Sequence, residues 1–276
     1  MVKENETLTI GWCDNGLTDG KFAEAVLGVT LAAPNNGMKV SHSLRVAGNQ
    51  IGRQRQRLLN HWYDSNLSDW LLWIDSDIVL TLDALYLLWN VADAEKYPIV
   101  SGVYFISKEP EGELMRPFPC IFKDLGDEGI QYLHPLPEME LVECDLAGFG
   151  ILLMHRSVVE KMRKELPDQS FFAEEMGTTD DKFVGEDIVF FRKMKKAGIQ
   201  LHAHTGALVQ HMKRFSLDFG YYAMYWSMEH LKNKVKQEQT GKTSGGLYLP
   251  NQRSVDDHID VIEDIGFLLK EHNGRS

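Results

Sequence analysis

Asp75 and Asp77, separated by Ser76, are the residues of this sequence best placed to do chemistry. The apolar run Trp70-Leu71-Leu72-Trp73-Ile74 leads directly into them, and Ile78-Val79-Leu80 follows. A continuous apolar run bounded by polar residues reads as a strand buried on both faces, in the middle of an α/β sheet. Read as one strand as far as Leu80, its alternation points Asp75 and Asp77 the same way and Ser76 the other. Two carboxylates side by side at the edge of an apolar core repel each other and are costly to desolvate. A hard divalent cation with oxygen ligands relieves that repulsion. The simpler alternative is that both aspartates end the strand and face water, and a lone D-x-D does not choose between the two.

Four other groups carry possible chemistry. Arg53, Arg55 and Arg57 lie in a helical stretch, Val46 to Trp62, that leads to the apolar strand. On a helix Arg53 and Arg57 share a face and Arg55 lies well round the side. They form either a solvated basic face or a set of forks for phosphate oxygens. Gly185-Glu186-Asp187 opens a helix from Ile188 to Ala197, where acidic residues also complement the helix dipole. Gly148-Phe149-Gly150 precedes the apolar run Ile151 to Met154, so a ligand or another backbone is expected to come very close there. It is not a dinucleotide fingerprint, because the third glycine is missing and the order is loop then strand. His202, His204 and His211 stand at strand ends.

The elements that must position these residues follow from patterning. Thr7 to Trp12 reads as a first strand, closed by the turn-rich Cys13-Asp14-Asn15-Gly16, and Lys21 to Leu31 as a helix. That is the opening of a βαβ unit. Ligands bind at the carboxyl ends of such strands, which makes Asp14 a candidate nucleotide contact or simply a polar turn residue. Thr81 caps a helix from Leu82 to Ala92, and Ser157 caps another reaching about Leu166. Pro98 to Phe105 is a strand, Lys108 to Pro119 a loop, and Ile121 to Lys123 pairs with Ile130 to Tyr132 as a hairpin. Pro167 to Val184 is polar and irregular. Beyond Met212 the character changes, with an aromatic-rich helix from Phe219 reaching Gln237, a polar, glycine-rich connector, Gln239 to Gly246, and an amphipathic helix, Val255 to Leu269.

Composition bounds the class. The 276 residues carry a net charge of −11, with 43% apolar and 25% charged residues, which is ordinary for a soluble globular protein. The acidic balance disfavours nonspecific binding to nucleic acid or acidic lipid. Cys13, Cys120 and Cys144 form no C-x-x-C pair, which argues against a zinc ribbon or disulfide scaffold and suits a reducing compartment. No segment approaches the ~18–20 apolar residues of a membrane span, and the amino terminus has no signal-peptide core. A cytoplasmic enzyme is expected.

The order of these signals along the chain resembles the GT-A glycosyltransferases, and within them the small family-2-like enzymes of bacteriophages. The resemblance covers roughly residues 7 to 212. It implies a Rossmann-like, mostly parallel sheet with helices on both faces over residues 1–212, and a helical extension over 213–276. It implies metal-dependent transfer of a sugar from a UDP- or GDP-sugar to a hydroxyl acceptor, with inversion. Asp77 would ligate Mn²⁺ or Mg²⁺, Asp75 would lie nearer the ribose or bridge through water, and His211 would complete the metal site. Glu186 and Asp187 would be the x-E-D motif, with Asp187 the catalytic base. Arg55-Gln56-Arg57-Leu58-Leu59 looks like a segment that approaches the nucleotide through Arg55, with Gln56 in place of its usual asparagine. Gly148-Phe149-Gly150 resembles the floor beneath the acceptor. The acceptor could be a protein, a glycan, a lipid-linked sugar or a modified nucleobase, in the host cytoplasm if the chain is viral. The last helix could dock on a second copy.

Two rivals stand beside this reading. A nucleotidyltransferase uses the same carboxylate–metal logic, but no G-x-G-x-R-type loop follows the first strand. A non-catalytic nucleotide-sugar-binding module would keep the fold without turnover.

Overall fold

The computed structural model describes residues 3, 5–108, 116–176, 183–213 and 219–240. The first half of the chain forms β1 (Thr7–Asp14), α1 (Gly20–Ala32), β2 (Lys39–Ala47), α2 (Ile51–Asp64), β3 (Trp70–Ile74), β4 (Ile78–Val79), α3 (Leu82–Val91), β5 (Ile99–Val103), β6 (Phe105–Lys108), β7 (Arg116–Pro119), β8 (Ile121–Asp124) and β9 (Ile130–Tyr132). The second half adds β10 (Leu141–Cys144), β11 (Leu146–Ala147), β12 (Ile151–His155), α4 (Arg156–Glu165), β13 (Glu175–Met176), β14 (Phe183–Val184), α5 (Glu186–Lys196), β15 (Leu201–Leu208), β16 (Gln210–His211) and α6 (Phe219–Thr240). Residues 1–107 and 117–213 make one compact unit, and 108–116 with 214–276 make a second. Of the second unit, helix α6 is the main described element. The expected helix at Val255 to Leu269 and most of the Gln239 to Gly246 connector lie outside the described residues, as do 177–182 of the irregular segment and 109–115 of the proline-rich loop.

The first unit is organised by a seven-stranded sheet in the order β10-β15-β5-β12-β3-β1-β2. Strand β1 runs parallel to β2 and β3, and β15 parallel to β5; β12 is antiparallel between β3 and β5, and β10 is antiparallel at the edge. The expected class, α/β with a mostly parallel sheet, is therefore present. Every residue of β3 and β5 is buried. Side chains alternate across a sheet, so both faces are covered at its centre.

Two features of this topology build the site. Antiparallel β12 starts beside the end of β3, with Ile151 opposite Ile74, and the Asp75 N–H donates to the Gly150 carbonyl at 3.3 Å. The glycine–aromatic–glycine segment thus abuts the aspartates. Beyond β15, the short β16 pairs antiparallel with β4, His211 opposite Ile78, and carries the histidine to the same place.

Three expectations need correction. The apolar run is not one strand as far as Leu80. Strand β3 stops at Ile74, and Ile78 N–H closes a turn on the Asp75 carbonyl at 3.0 Å. The turn breaks the alternation, so Asp75 and Asp77 find different partners. Helix α4 is capped by His155, whose Nδ1 accepts the Ser157 N–H at 3.2 Å, and not by Ser157. The helical stretch starts at Ile51 and not at Val46, because Val46 and Ala47 close strand β2, an unanticipated and largely exposed edge strand whose local pattern is weak.

Candidate active site

Arg55 leaves helix α2 on the side facing the core and is 7% exposed. Its Nη2 donates to Asp75 Oδ1 at 3.0 Å, and its Nη1 donates to Glu186 Oε1 at 2.7 Å. The guanidinium carbon lies 4.6 Å over the Phe149 ring, a cation–π contact that also fixes the plane of the fork. Burial opposes the arginine charge, but Asp75, Glu186 and Asp187 raise its pKa well above the ordinary value. Burial raises Glu186, against the pull of Arg55. One cation here serves three carboxylates, which leaves the cluster negative and receptive to further positive charge. Asp187 sits in the first turn of α5, and its Oδ1 accepts the Ile188 N–H at 2.8 Å.

Asp77 faces the other way, 44% exposed, toward His211, which is 9% exposed. His211 Nδ1 lies 2.9 Å from the Phe105 carbonyl and His211 Nε2 3.0 Å from Asp77 Oδ2. A carbonyl can only accept, so Nδ1 carries a proton and Nε2 is the atom aimed at the carboxylate. A backbone acceptor behind Nδ1 is the usual orienting contact of a metal-binding imidazole. Lys213 Nζ reaches the same Asp77 oxygen at 3.4 Å, and the Met212 N–H donates to the Asp77 carbonyl at 2.8 Å. Burial pushes Asp77 up, yet the His211 hydrogen bond and the His211 and Lys213 charges hold it below the usual carboxylate range. Among the described residues, no three His, Cys, Asp or Glu side chains gather into an enclosed metal cage. Asp77 and His211 offer one carboxylate and one imidazole, a donor pair that suits Mn²⁺ better than the oxygen-demanding Mg²⁺ and would leave the rest of a cation's shell to phosphates and water.

The remaining predicted residues divide plainly. Asp14 is not free at its strand end. Its carboxylate takes a fork from Arg45 at 2.5 and 2.8 Å and the Gly16 N–H at 2.7 Å. The Arg45 hydrogen bond is the main cause of its lowered pKa. Gly148 and Gly150 do admit a close neighbour, and it is a side chain. A Cβ on Gly150 would stand 2.5 Å from a Tyr104 ring carbon, and one on Gly148 would fall on the Tyr104 hydroxyl. His202 packs edge-on against Tyr97 and His204 accepts the Gly206 N–H, so of the three histidines it is His211 that meets the aspartate pair. The three cysteines are free and buried, and burial pushes each thiol up to about 12. Buried thiols of this kind are protonated and unreactive at neutral pH.

No protein-family profile and no curated protein sequence matches this chain. Solved structures do. The crystal structure of A197 from STIV is 14% identical, with a TM-score of 0.44 over 75% of this chain and 86% of that one. GalNAc-T7, crystallised with UDP, GalNAc and Mn²⁺, is 12% identical, with a TM-score of 0.45 over 78% of this chain and 45% of that one. A glycosyltransferase involved in the glycosylation of the major capsid of PBCV-1 is 12% identical, with a TM-score of 0.38 over 76% and 94%.

Tyr104 and Arg45 escaped sequence reasoning, and Gln56 has a role that the sequence did not suggest. Tyr104, 6% exposed, meets His211 edge-on at 5.0 Å and hydrogen-bonds Cys120, filling the space the two glycines leave. Arg45 neutralises Asp14. Gln56 accepts the Phe171 N–H at 2.7 Å and the Ser170 hydroxyl at 3.1 Å, tying that loop to α2. Glycines before a strand signal that something packs there, but not what. Arg45 carried no local signal at all, and Gln56 stood out only as a replacement for asparagine, with nothing to point to the Phe171 amide.

Proposed function

We propose that this chain is a metal-dependent glycosyltransferase that moves a sugar from a nucleoside-diphosphate sugar to a hydroxyl acceptor with inversion. One observation carries the reading. The D-x-D turn, the start of α5 and the strand-end histidine converge, with Arg55 joining Asp75 to Glu186 while Asp77 meets His211. Such a cluster presents separate carboxylates for a cation and for a proton.

In this reading Asp77 and His211 hold Mn²⁺ or Mg²⁺, and Asp75 lies toward the ribose. The cation, when bound, stabilises charge on the departing diphosphate. Asp187 takes the proton of the acceptor hydroxyl as its oxygen bonds to the anomeric carbon and the bond to the diphosphate oxygen breaks. The Ile188 N–H holds Asp187 Oδ1 in the first turn of α5, which fixes the carboxylate that would take the proton. A positioned carboxylate matters because a neutral hydroxyl is a poor nucleophile. Glu186, already held by Arg55, orients this turn. The acceptor we favour is a glycan, a protein or a modified nucleobase, in the cytoplasm; no described helix is long and apolar enough to cross a membrane.

Screening UDP- and GDP-sugars with Mn²⁺ for product tests the proposal. Release of nucleoside diphosphate is expected. Release of sugar 1-phosphate, the group expelled when a nucleotidyl group is moved, would make the chain a nucleotidyltransferase, and binding without turnover would make it a sugar-nucleotide receptor.

A further inference from the structure

Among the described residues, Arg55 is the charged side chain that touches both halves of the cluster, and its two ion-pair partners lie 20 and 131 residues away in sequence. Both arms of its fork are engaged, one face of the guanidinium lies over Phe149, and 7% of the side chain reaches solvent. A phosphate-binding arginine presents its fork outward to the ligand. This one presents it to two carboxylates of its own chain.

We infer that Arg55 is a positioning residue that locks Asp75, on the donor side, to the Glu186-Asp187 turn, on the acceptor side, and that it is not itself a nucleotide contact. The inference rests on the glycosyltransferase reading for the naming of the two sides.

The surrounding backbone is built for this lock. Gly52 lies one turn before Arg55 on α2, and a Cβ there would stand 2.5 Å from the Phe172 carbonyl oxygen and 3.3 Å from Glu186 Cβ. Helix α2 therefore approaches the start of α5 as closely as a residue without a side chain permits. Arg55 spans the remaining gap, and Gln56 pins the Phe171 amide on the neighbouring face. With Asp75 Oδ1 and Glu186 Oε1 both fixed, the first turn of α5 has one orientation relative to the end of β3. Asp187, one residue on, inherits it. Lysine cannot reproduce this, since a point charge on a flexible stem cannot bridge two carboxylates as a planar fork does.

The test compares wild type with Arg55→Lys and Gly52→Ala. The probes are UDP and GDP with Mn²⁺, titrated calorimetrically, together with turnover of whichever nucleotide sugar the wild type accepts. Positioning predicts diphosphate affinity within about threefold of wild type, and turnover at saturating donor lower by about 10²-fold, the scale of a misplaced catalytic group. Gly52→Ala keeps the Arg55 side chain but crowds α2 against the Phe172 carbonyl and the start of α5, and should show the same split. Two patterns would overturn the inference. One is affinity falling by about tenfold or more with turnover at saturation retained, the mark of lost ground-state binding. The other is reduced stability with both constants unchanged, the mark of an ordinary ion pair. Urea unfolding of Arg55→Lys, Glu186→Gln and the double variant gives an arm that needs no activity. The lock predicts that the effects on the unfolding constant fail to multiply by about fivefold or more, whereas independence within about twofold refutes it. If the wild type binds neither diphosphate and turns over no nucleotide sugar, the glycosyltransferase reading falls, and the urea cycle still decides the lock.

Discussion

Replacing Gly148 or Gly150 by alanine separates two meanings of the Gly148-Phe149-Gly150 segment. If the glycines make room for a ligand, alanine harms binding and leaves the free protein as stable as before. The structure predicts the opposite order. At Gly150 the new methyl would lie 2.5, 2.7 and 2.9 Å from three carbons of the Tyr104 ring; at Gly148 it would overlap the hydroxyl and stand 2.8 Å from Cys120 Sγ and 2.9 Å from Tyr104 Cζ. Real Cβ contacts are longer, and the ring is 6% exposed and packed against His211, so it cannot swing into solvent. Overpacking of this kind costs about 1–3 kcal/mol. With an m-value of about 2–3 kcal/mol per molar urea, the midpoint should fall by roughly 0.5–1 M. The two sites differ in their rescue. Tyr104→Phe removes the nearest atom that Gly148→Ala strikes and leaves the lesser contacts with Cζ and with Cys120 Sγ, so the double variant should recover part of the loss. The same substitution leaves the ring carbons that Gly150→Ala strikes, and should recover little. Urea titration of the four variants, followed by tryptophan fluorescence, is the assay. Wild-type midpoints for both alanines, or equal rescue at both sites, would refute the packing argument.

Further outcomes follow from the same contacts. Asp187→Asn should lower transfer by at least about 10²-fold with diphosphate binding nearly intact, because the amide keeps the Ile188 contact but cannot take a proton; unchanged acceptor kinetics would leave Asp187 structural and reopen a retaining mechanism. Asp124 takes both arms of Arg192 from α5 at 2.8 Å, and that bond holds its carboxyl below the ordinary range. A depressed folded pKa stabilises above the unfolded value of about 3.9 and is lost as pH falls through the folded value, so Asp124→Asn should cost about 1 kcal/mol near neutrality and progressively less in acid. A gap in urea midpoints that stays constant with pH would contradict this. Truncation after Gln237 should retain metal-dependent donor hydrolysis, since every donor-side group named above belongs to residues 1–107 and 117–213; loss of diphosphate binding would assign the extension to the donor site.

How much of this was legible in the sequence follows from the range of the forces involved. Trp70 to Ile74 announces itself because a doubly covered strand must be apolar throughout, and Thr81 because capping is local: its hydroxyl accepts the Ala84 N–H at 3.2 Å. The hairpin of β8 and β9 was readable for the same reason. The turn at Asp75 to Asp77 was not, because β4 exists only by pairing with β16 more than 130 residues later. Edge strand β2 is held by β1 on one side, and its exposed positions leave little apolar pattern to read. The buried role of Arg55 was equally hidden. Helical spacing set it apart from Arg53 and Arg57, but its partners lie 20 and 131 residues along the chain, beyond the reach of local patterning. The glycines announced a close approach and left its object, Tyr104, unnamed.

The central claim is that Asp77 and His211 hold a divalent cation without which the sugar is not transferred. Its most direct test is turnover of a nucleotide sugar by wild type and Asp77→Ala, each with Mn²⁺, in excess chelator, and after Mn²⁺ is restored. The account predicts that wild-type activity disappears in chelator and returns with the metal, and that Asp77→Ala stays folded and inactive at every metal concentration. Full turnover in excess chelator, or wild-type rates in Asp77→Ala, would contradict it.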